Sequence, residues 1–177
     1  MTDWRNGQFD KYAYFKTLDF CADGARRPYD PTVNPGQKDF HAAADHGKRF
    51  LNMVGGSGLG KSMAAAREAE LFAYQDDKTV WIVASKYEIA EKEFRYIWQD
   101  LIVTHRLNAS HKTYDVRNGN MRIMFPWGTR LECKSEQVLD TLLGEGIDCL
   151  VLAEGSRLNK STYDRYLERA VARRKGI

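Results

Sequence analysis

The chain has 177 residues, 43% hydrophobic and 29% charged, enough for one ordinary globular domain with a sizeable core. Its net charge of +3 is too small to argue for nucleic acid by itself, no apolar run approaches a membrane span, and the polar start MTDWRNGQFDKY has no signal-peptide pattern. Cys21, Cys133 and Cys149 are odd in number and lack a C-x-x-C pair, so they are read as reduced thiols outside any disulfide frame or zinc site. His41, His46, His105 and His111 show no metal-ligand spacing and are read as surface residues.

Residues 1–36 are rich in aromatics (Trp4, Phe9, Tyr12, Tyr14, Phe15, Phe20, Tyr29), with three prolines between Pro28 and Pro35. Phe9–Phe20 is expected as a short helix and Arg26–Gly36 as an extended connector, because proline and glycine punctuate it. This places an N-terminal extension at 1–36 and the main domain at 37–177. Gln37–Lys48 is expected as a helix, followed by a strand over the apolar run Phe50–Val54. Helix formers then dominate 62–75, and Asp76-Asp77-Lys78 turns into Thr79–Ala84, a β-branched run that reads as a buried parallel strand.

Ser85-Lys86-Tyr87-Glu88 offers a capping box. Ala90, Phe94, Ile97, Trp98, Leu101 and Ile102 then follow at helical spacing, so 87–104 is expected as an amphipathic helix. Met121–Phe125 and Thr129–Cys133 flank Pro126-Trp127-Gly128 and predict a hairpin. Leu142–Gly146 is expected as a loop and Ile147–Ala153 as a second buried strand. Ser161–Arg174 closes with Tyr163, Tyr166, Leu167, Ala170 and Val171 on one helical face and Ser161 as N-cap. Strands alternating with helices predict an α/β fold with a mostly parallel sheet flanked by helices.

Gly55-Gly56-Ser57-Gly58-Leu59-Gly60-Lys61-Ser62 matches G-x-x-x-x-G-K-[ST], the phosphate-binding loop. Glycines let backbone N–H groups turn around anionic oxygens with no Cβ in the way. Lys61 is placed to reach the β- and γ-phosphates of ATP, the Ser62 hydroxyl to ligate Mg2+, and the following helix to present its positive end. The bland reading is a glycine-rich turn that binds nothing. The fold class expected is a P-loop NTPase of the ASCE/RecA-like type. Such a site needs an acid at the end of a neighbouring strand. Cys149-Leu150-Val151-Leu152-Ala153-Glu154 supplies Glu154 to polarise water. Ala153 stands where an Asp supporting the metal shell is expected, and Asp148 lies roughly 17 Å away at the other end of the strand.

In order and spacing, residues 30–177 resemble the ATPase domain of the large terminase subunit of tailed bacteriophages, the DNA-packaging motor. Pro35-Gly36-Gln37-Lys38-Asp39-Phe40 is similar to the family's upstream glutamine motif, which implies Gln37 as adenine reader and Phe40 as a stacking candidate. Val83–Ala90, Trp127–Glu132 and Leu143–Asp148 resemble three further family segments, and Gly176 sits where a Lys-Gly closes the last helix. Ala153 departs from the family's Asp, Ser57 or Leu59 stands where many members carry an Arg inside the loop, and Leu143 departs from the Arg often found there.

The resemblance implies ATP hydrolysis with Mg2+ by a homo-oligomeric ring acting on double-stranded DNA. It also implies a portal protein and a small terminase subunit as partners, and work in the host cytoplasm at the portal vertex of the procapsid. A neighbouring subunit is expected to donate an arginine finger, with Arg157, Arg165, Arg169 and Arg173 as candidates. The family continues past the position of Ile177 with a coupling strand and a ribonuclease H-like domain, so no nuclease activity is expected from this chain. Two other readings stand beside the motor: a nucleotide-binding switch that barely hydrolyses because of Ala153, and a small-molecule phosphotransferase. The basic stretch Arg165–Lys175 reads as a solvated helix face or as a contact for phosphates.

Overall fold

The computed structural model describes residues 10–18 and 28–174. Trp4, Phe9, Phe20, Cys21 and the stretch 175–177 with Gly176, and so parts of the first expected helix and connector, lie outside them. The strands are β1 (Thr79–Ala84), β2 (His111–Asp115), β3 (Asn120–Met124), β4 (Arg130–Ser135) and β5 (Cys149–Leu152). The helices are α1 (Lys11–Phe15), α2 (Pro35–Asp45), α3 (Lys61–Glu70) and α4 (Tyr87–Trp98). A composite C-terminal helix follows: α5 (Lys160–Thr162), a π-turn over Tyr163–Leu167, then α6 (Glu168–Arg174).

β1 is buried along its whole length, as a β-branched apolar run is when it becomes an inner strand. It pairs in parallel with β4 on one side and β5 on the other. β2 and β3 extend the sheet antiparallel beyond β4, giving the order β2-β3-β4-β1-β5. The expected hairpin is β3–β4, with Ile123 opposite Leu131. Gly128 takes φ +85° at its tip, and Trp127 stacks on Phe125 at 4.7 Å while donating its indole N–H to the Ala73 carbonyl.

Side chains alternate across a strand, and β1 sorts its residues by that rule. Val80, Ile82 and Ala84 join a core with Ala66, Ala69, Ala90, Phe94 and Ile97; Trp81 and Val83 join another with Leu142, Ile147, Leu167 and Val171. β5 repeats the pattern, sending Cys149, Val151 and then Ala153 to the first core and Leu150 and Leu152 to the second. Helices α3 and α4 therefore cover one face, and the C-terminal helix covers the other.

Several expected elements differ. Phe50–Val54 joins no described strand; Phe50 and Val54 are 72% and 85% exposed, and only Leu51 and Met53 are half-buried. An apolar run becomes a strand only when it pairs along a sheet edge, and Phe50–Val54 makes no such pairing although β5 ends the sheet with its outer edge unpaired among the described residues. α4 has Lys86 as N-cap with no side-chain bond, in place of the Ser85 capping box, and it runs into a π-turn over Gln99–Thr104. β2 was not expected; its partly exposed, polar sequence HKTYD carries little strand signal. The last helix starts at Lys160 after Asn159, not at Ser161.

His41 is not a surface residue: it is fully buried. Its Nδ1 bonds Glu68 Oε1 at 2.5 Å and its Nε2 lies 2.7 Å from the Tyr29 hydroxyl. Buried Lys11 donates to the same Glu68 oxygen at 2.8 Å and pairs with Asp45 at 2.5 Å, tying α1 to α2 and α3. Beside it, fully buried Arg67 lies over the rings of Tyr29 and Tyr96 and pairs with Asp100 and Glu70.

Burial pushes the Glu70 carboxyl up to about 8, against the pull of Arg67. Its folded pKa lies above the ordinary 4.5, so the folded chain holds a proton that unfolding releases. That contribution is complete below about 4.5 and is lost as pH rises through about 8. The difference in melting temperature between Glu70→Gln and the parent should therefore widen in favour of the variant by a few degrees from pH 4.5 to pH 8. Thermal melts across that range check it, and a constant difference would contradict the assignment.

Candidate nucleotide site

The phosphate loop is shaped by two glycines in left-handed conformation, Gly58 (φ +84°) and Gly60 (φ +72°), a region that L side chains enter at a cost. Gly60 is the N-cap of α3, and its carbonyl receives the Ala64 amide at 2.9 Å. The Lys61 ammonium folds back to donate to the Gly55 and Gly56 carbonyls at 2.8 and 2.7 Å. Lys61 and Ser62 thus stand in the first turn of α3, where the helix dipole favours anions.

The N-terminus of α2 clamps this loop from behind. Asn34 caps α2 through its Oδ1, which accepts from the Gly36 and Gln37 amides, while its Nδ2 donates to the Leu59 carbonyl at 3.2 Å. Buried Gln37 donates Nε2 to the Gly60 carbonyl at 3.2 Å, so its amide faces the loop backbone. A Cβ at Gly60 would collide with that amide. Phe40 is half-buried beside His41, at 5.6 Å between rings.

Glu154 lies two residues past β5 and takes φ +48°, a strained conformation for a residue with a Cβ. Its carboxylate accepts from Lys92 Nζ at 3.1 Å and pairs with Arg157 Nε at 2.8 Å. The hydrogen bond from Lys92 holds its pKa below the usual carboxylate value, with smaller help from the charges of Arg157 and Lys61. Asp148 accepts from the Thr79 amide at 2.9 Å and pairs with Lys78 at 3.8 Å, which keeps it at the far end of the strand.

α4 contributes a second acid that the sequence reading missed. Glu93 is 4% exposed, and the Ser62 hydroxyl lies close enough to its carboxylate to favour the charged form. Burial raises its pKa, the nearby Ser62 hydroxyl works against that, and the charge of Glu154 adds to it. Its Oε2 is buried with no hydrogen-bond partner. The signal was present in the pattern: Glu93 falls among Ala90, Phe94 and Ile97 on the apolar face of its helix, where a charge needs a reason.

The site therefore draws together Lys61, Ser62, Gln37, Glu93, Lys92 and Glu154. Among the finger candidates, Arg157 is engaged with Glu154 of its own chain. Arg165, Arg169 and Arg173 are exposed, one turn apart, and line a shallow concavity with the loop Leu142–Glu145. Among the described residues no group of His, Cys, Asp and Glu side chains forms a metal cage. Mg2+ does not require one in such sites, because substrate phosphates and water supply most of its shell. The Ser62 hydroxyl and the unpartnered Glu93 oxygen fit that donor set.

A glycine-rich phosphate loop heading a helix, beside a largely parallel sheet with an acid at a strand end, defines an α/β fold of the P-loop NTPase class. No protein-family model and no curated protein matches the chain. Among solved structures, it is similar to the large terminase ATPase domain of Thermus phage P74-26, with 22% identity and a TM-score of 0.57 over 68% of this chain. An arginine-to-alanine variant of the same domain matches with 21% identity and a TM-score of 0.51 over 68% of this chain. The match covers 54% of each terminase chain, so it spans about half their length. The likeness drawn from the motifs thus holds at the level of the fold.

Gly60→Ala should cost about 1–2 kcal/mol from the left-handed backbone alone and displace Gln37 from the loop. Thermal melts and nucleotide titration check this, with Ser57→Ala as a control expected to leave both within a few-fold.

Proposed function

We propose that this chain is the ATP-hydrolysing motor module of a phage DNA-packaging machine, driving double-stranded DNA into a procapsid. The observation that carries the reading is the convergence of Lys61, Ser62 and Glu154 at one end of the sheet, in a fold similar to a phage terminase ATPase domain. Lys61 would exchange the Gly55 and Gly56 carbonyls for the β- and γ-phosphate oxygens of ATP. Gly55, Gly56, Ser57, Gly58, Leu59 and Gly60 would present their backbone to the same anion, and Gln37 would fix the back of the loop beside the adenine.

Mg2+, when bound, supplies charge neutralisation across the β- and γ-phosphates. Ser62 would hold it. Glu154, kept ionised by Lys92, would orient the attacking water as it leaves its cation partners. Arg165, Arg169 or Arg173 would reach a neighbouring subunit's nucleotide in a homo-oligomeric ring, with the portal protein and a small terminase subunit as further partners. No described helix is long and apolar enough to cross a membrane. The module would work in the host cytoplasm at the portal vertex.

A nucleotide-binding switch is the second reading. It is favoured by Ala153 and by the two cations on Glu154. ATP turnover decides between them. For a motor, Glu154→Gln should lower turnover by about 10²–10⁴ while binding persists, and Lys61→Ala should abolish binding. Binding without Mg2+-dependent turnover in the parent chain would favour the switch. Turnover that survives Glu154→Gln would remove Glu154 from the chemistry.

A further inference from the structure

The geometry points to Glu93 as the carboxylate that supports the metal shell in place of the acid absent at Ala153. This rests on the nucleotide-site reading of Lys61 and Ser62. The strand alternation sends Ala153 to the face of the sheet covered by α3 and α4, where it packs in the core with Ala66, Ala69 and Ala90. An acid at that position would face the first turn of α3, where Ser62 stands. Glu93 comes to the same place from the helix packed over that face. It is 4% exposed, has the Ser62 hydroxyl beside it, and leaves Oε2 buried and unpartnered.

A buried carboxylate oxygen with no partner is costly, and native structures retain one where it has work to do. The cation that would answer it is a divalent ion on the Ser62 hydroxyl. Its waters would donate to Oε2 as they would to a carboxylate at a strand end. Glu154 is a poor alternative for this task, since Lys92 and Arg157 already occupy its oxygens. The chain thus keeps one supporting acid at the metal and moves it from the strand to the facing helix.

The test is Mn2+ affinity of the ATP-loaded chain, read by electron paramagnetic resonance, beside metal-free ATP affinity. Glu93→Gln preserves shape and removes the acceptor. It should leave metal-free ATP affinity within about twofold and weaken Mn2+ by about tenfold or more. Adding Ala153→Asp to that variant should return Mn2+ affinity to within a few-fold of the parent. Ala153→Asp alone should change it little, because the position is already served. Unchanged Mn2+ affinity in Glu93→Gln with ATP still bound would overturn the proposal. So would a tenfold gain from Ala153→Asp alone, a readout that stands even where Glu93→Gln folds poorly. A parent chain that binds no ATP would overturn the nucleotide-site reading itself, and this inference with it.

Discussion

Alternation along two adjacent parallel strands decides which residues can meet at the phosphate loop. β1 and β5 each send every second side chain under α3 and α4 and the others under the C-terminal helix. A slip of one residue in β5 would turn Ala153 out of the core beneath α3 and α4 and bring Leu152 into its place. The register is protected from that slip at both ends. The Asp148 amide bonds the Thr79 carbonyl and the Ala153 amide bonds the Val83 carbonyl, while the Asp148 carboxylate receives the Thr79 amide. The chemistry at the end of β5 is therefore fixed by packing at its middle and by hydrogen bonds at its start.

The loop itself depends on a second constraint, the placement of α2. Asn34 and Gln37 hold the carbonyls of Leu59 and Gly60, and α2 is held in turn by buried charges. Lys11 from α1, His41 from α2 and Glu68 from α3 meet at one carboxylate oxygen. Burying such groups is costly unless each finds partners, and replacing them with apolar residues often stabilises a fold. Their value here is positional: no apolar contact would fix α2 against α3 with comparable directionality. The position of Gln37 against Gly60 is the consequence.

Much of this was legible in the sequence where a pattern had one physical cause. The buried run Thr79–Ala84, the Pro126-Trp127-Gly128 turn and the glycine spacing of the loop each specify local structure without help from distant residues. Phe50–Val54 misled because an apolar run states a need for burial and says nothing of an available sheet edge. His41 misled because a lone histidine carries no sign of Lys11 and Glu68, which lie 30 and 27 positions away. Glu93 was readable in principle, as a charge on the inward face of an amphipathic helix. Its meaning depended on α4 crossing over Ser62, which only tertiary structure supplies.

α4 ties these threads together. At consecutive positions it offers Lys92 to Glu154 and Glu93 to Ser62, so one helix addresses both the strand-end acid and the loop serine. The two carboxylates are driven in opposite directions, Glu154 held ionised by its cations and Glu93 raised by burial. In phosphoryl transfer, positioning and electrostatics outweigh covalent participation by the protein. A carboxylate of lowered pKa, as at Glu154, is a weak proton acceptor, which suits the proposed role of Glu154 in orienting water. The left-handed backbone at Glu154 fixes where its side chain leaves the chain, two residues past the end of β5. Any shift of α4 along the sheet would alter both contacts at once.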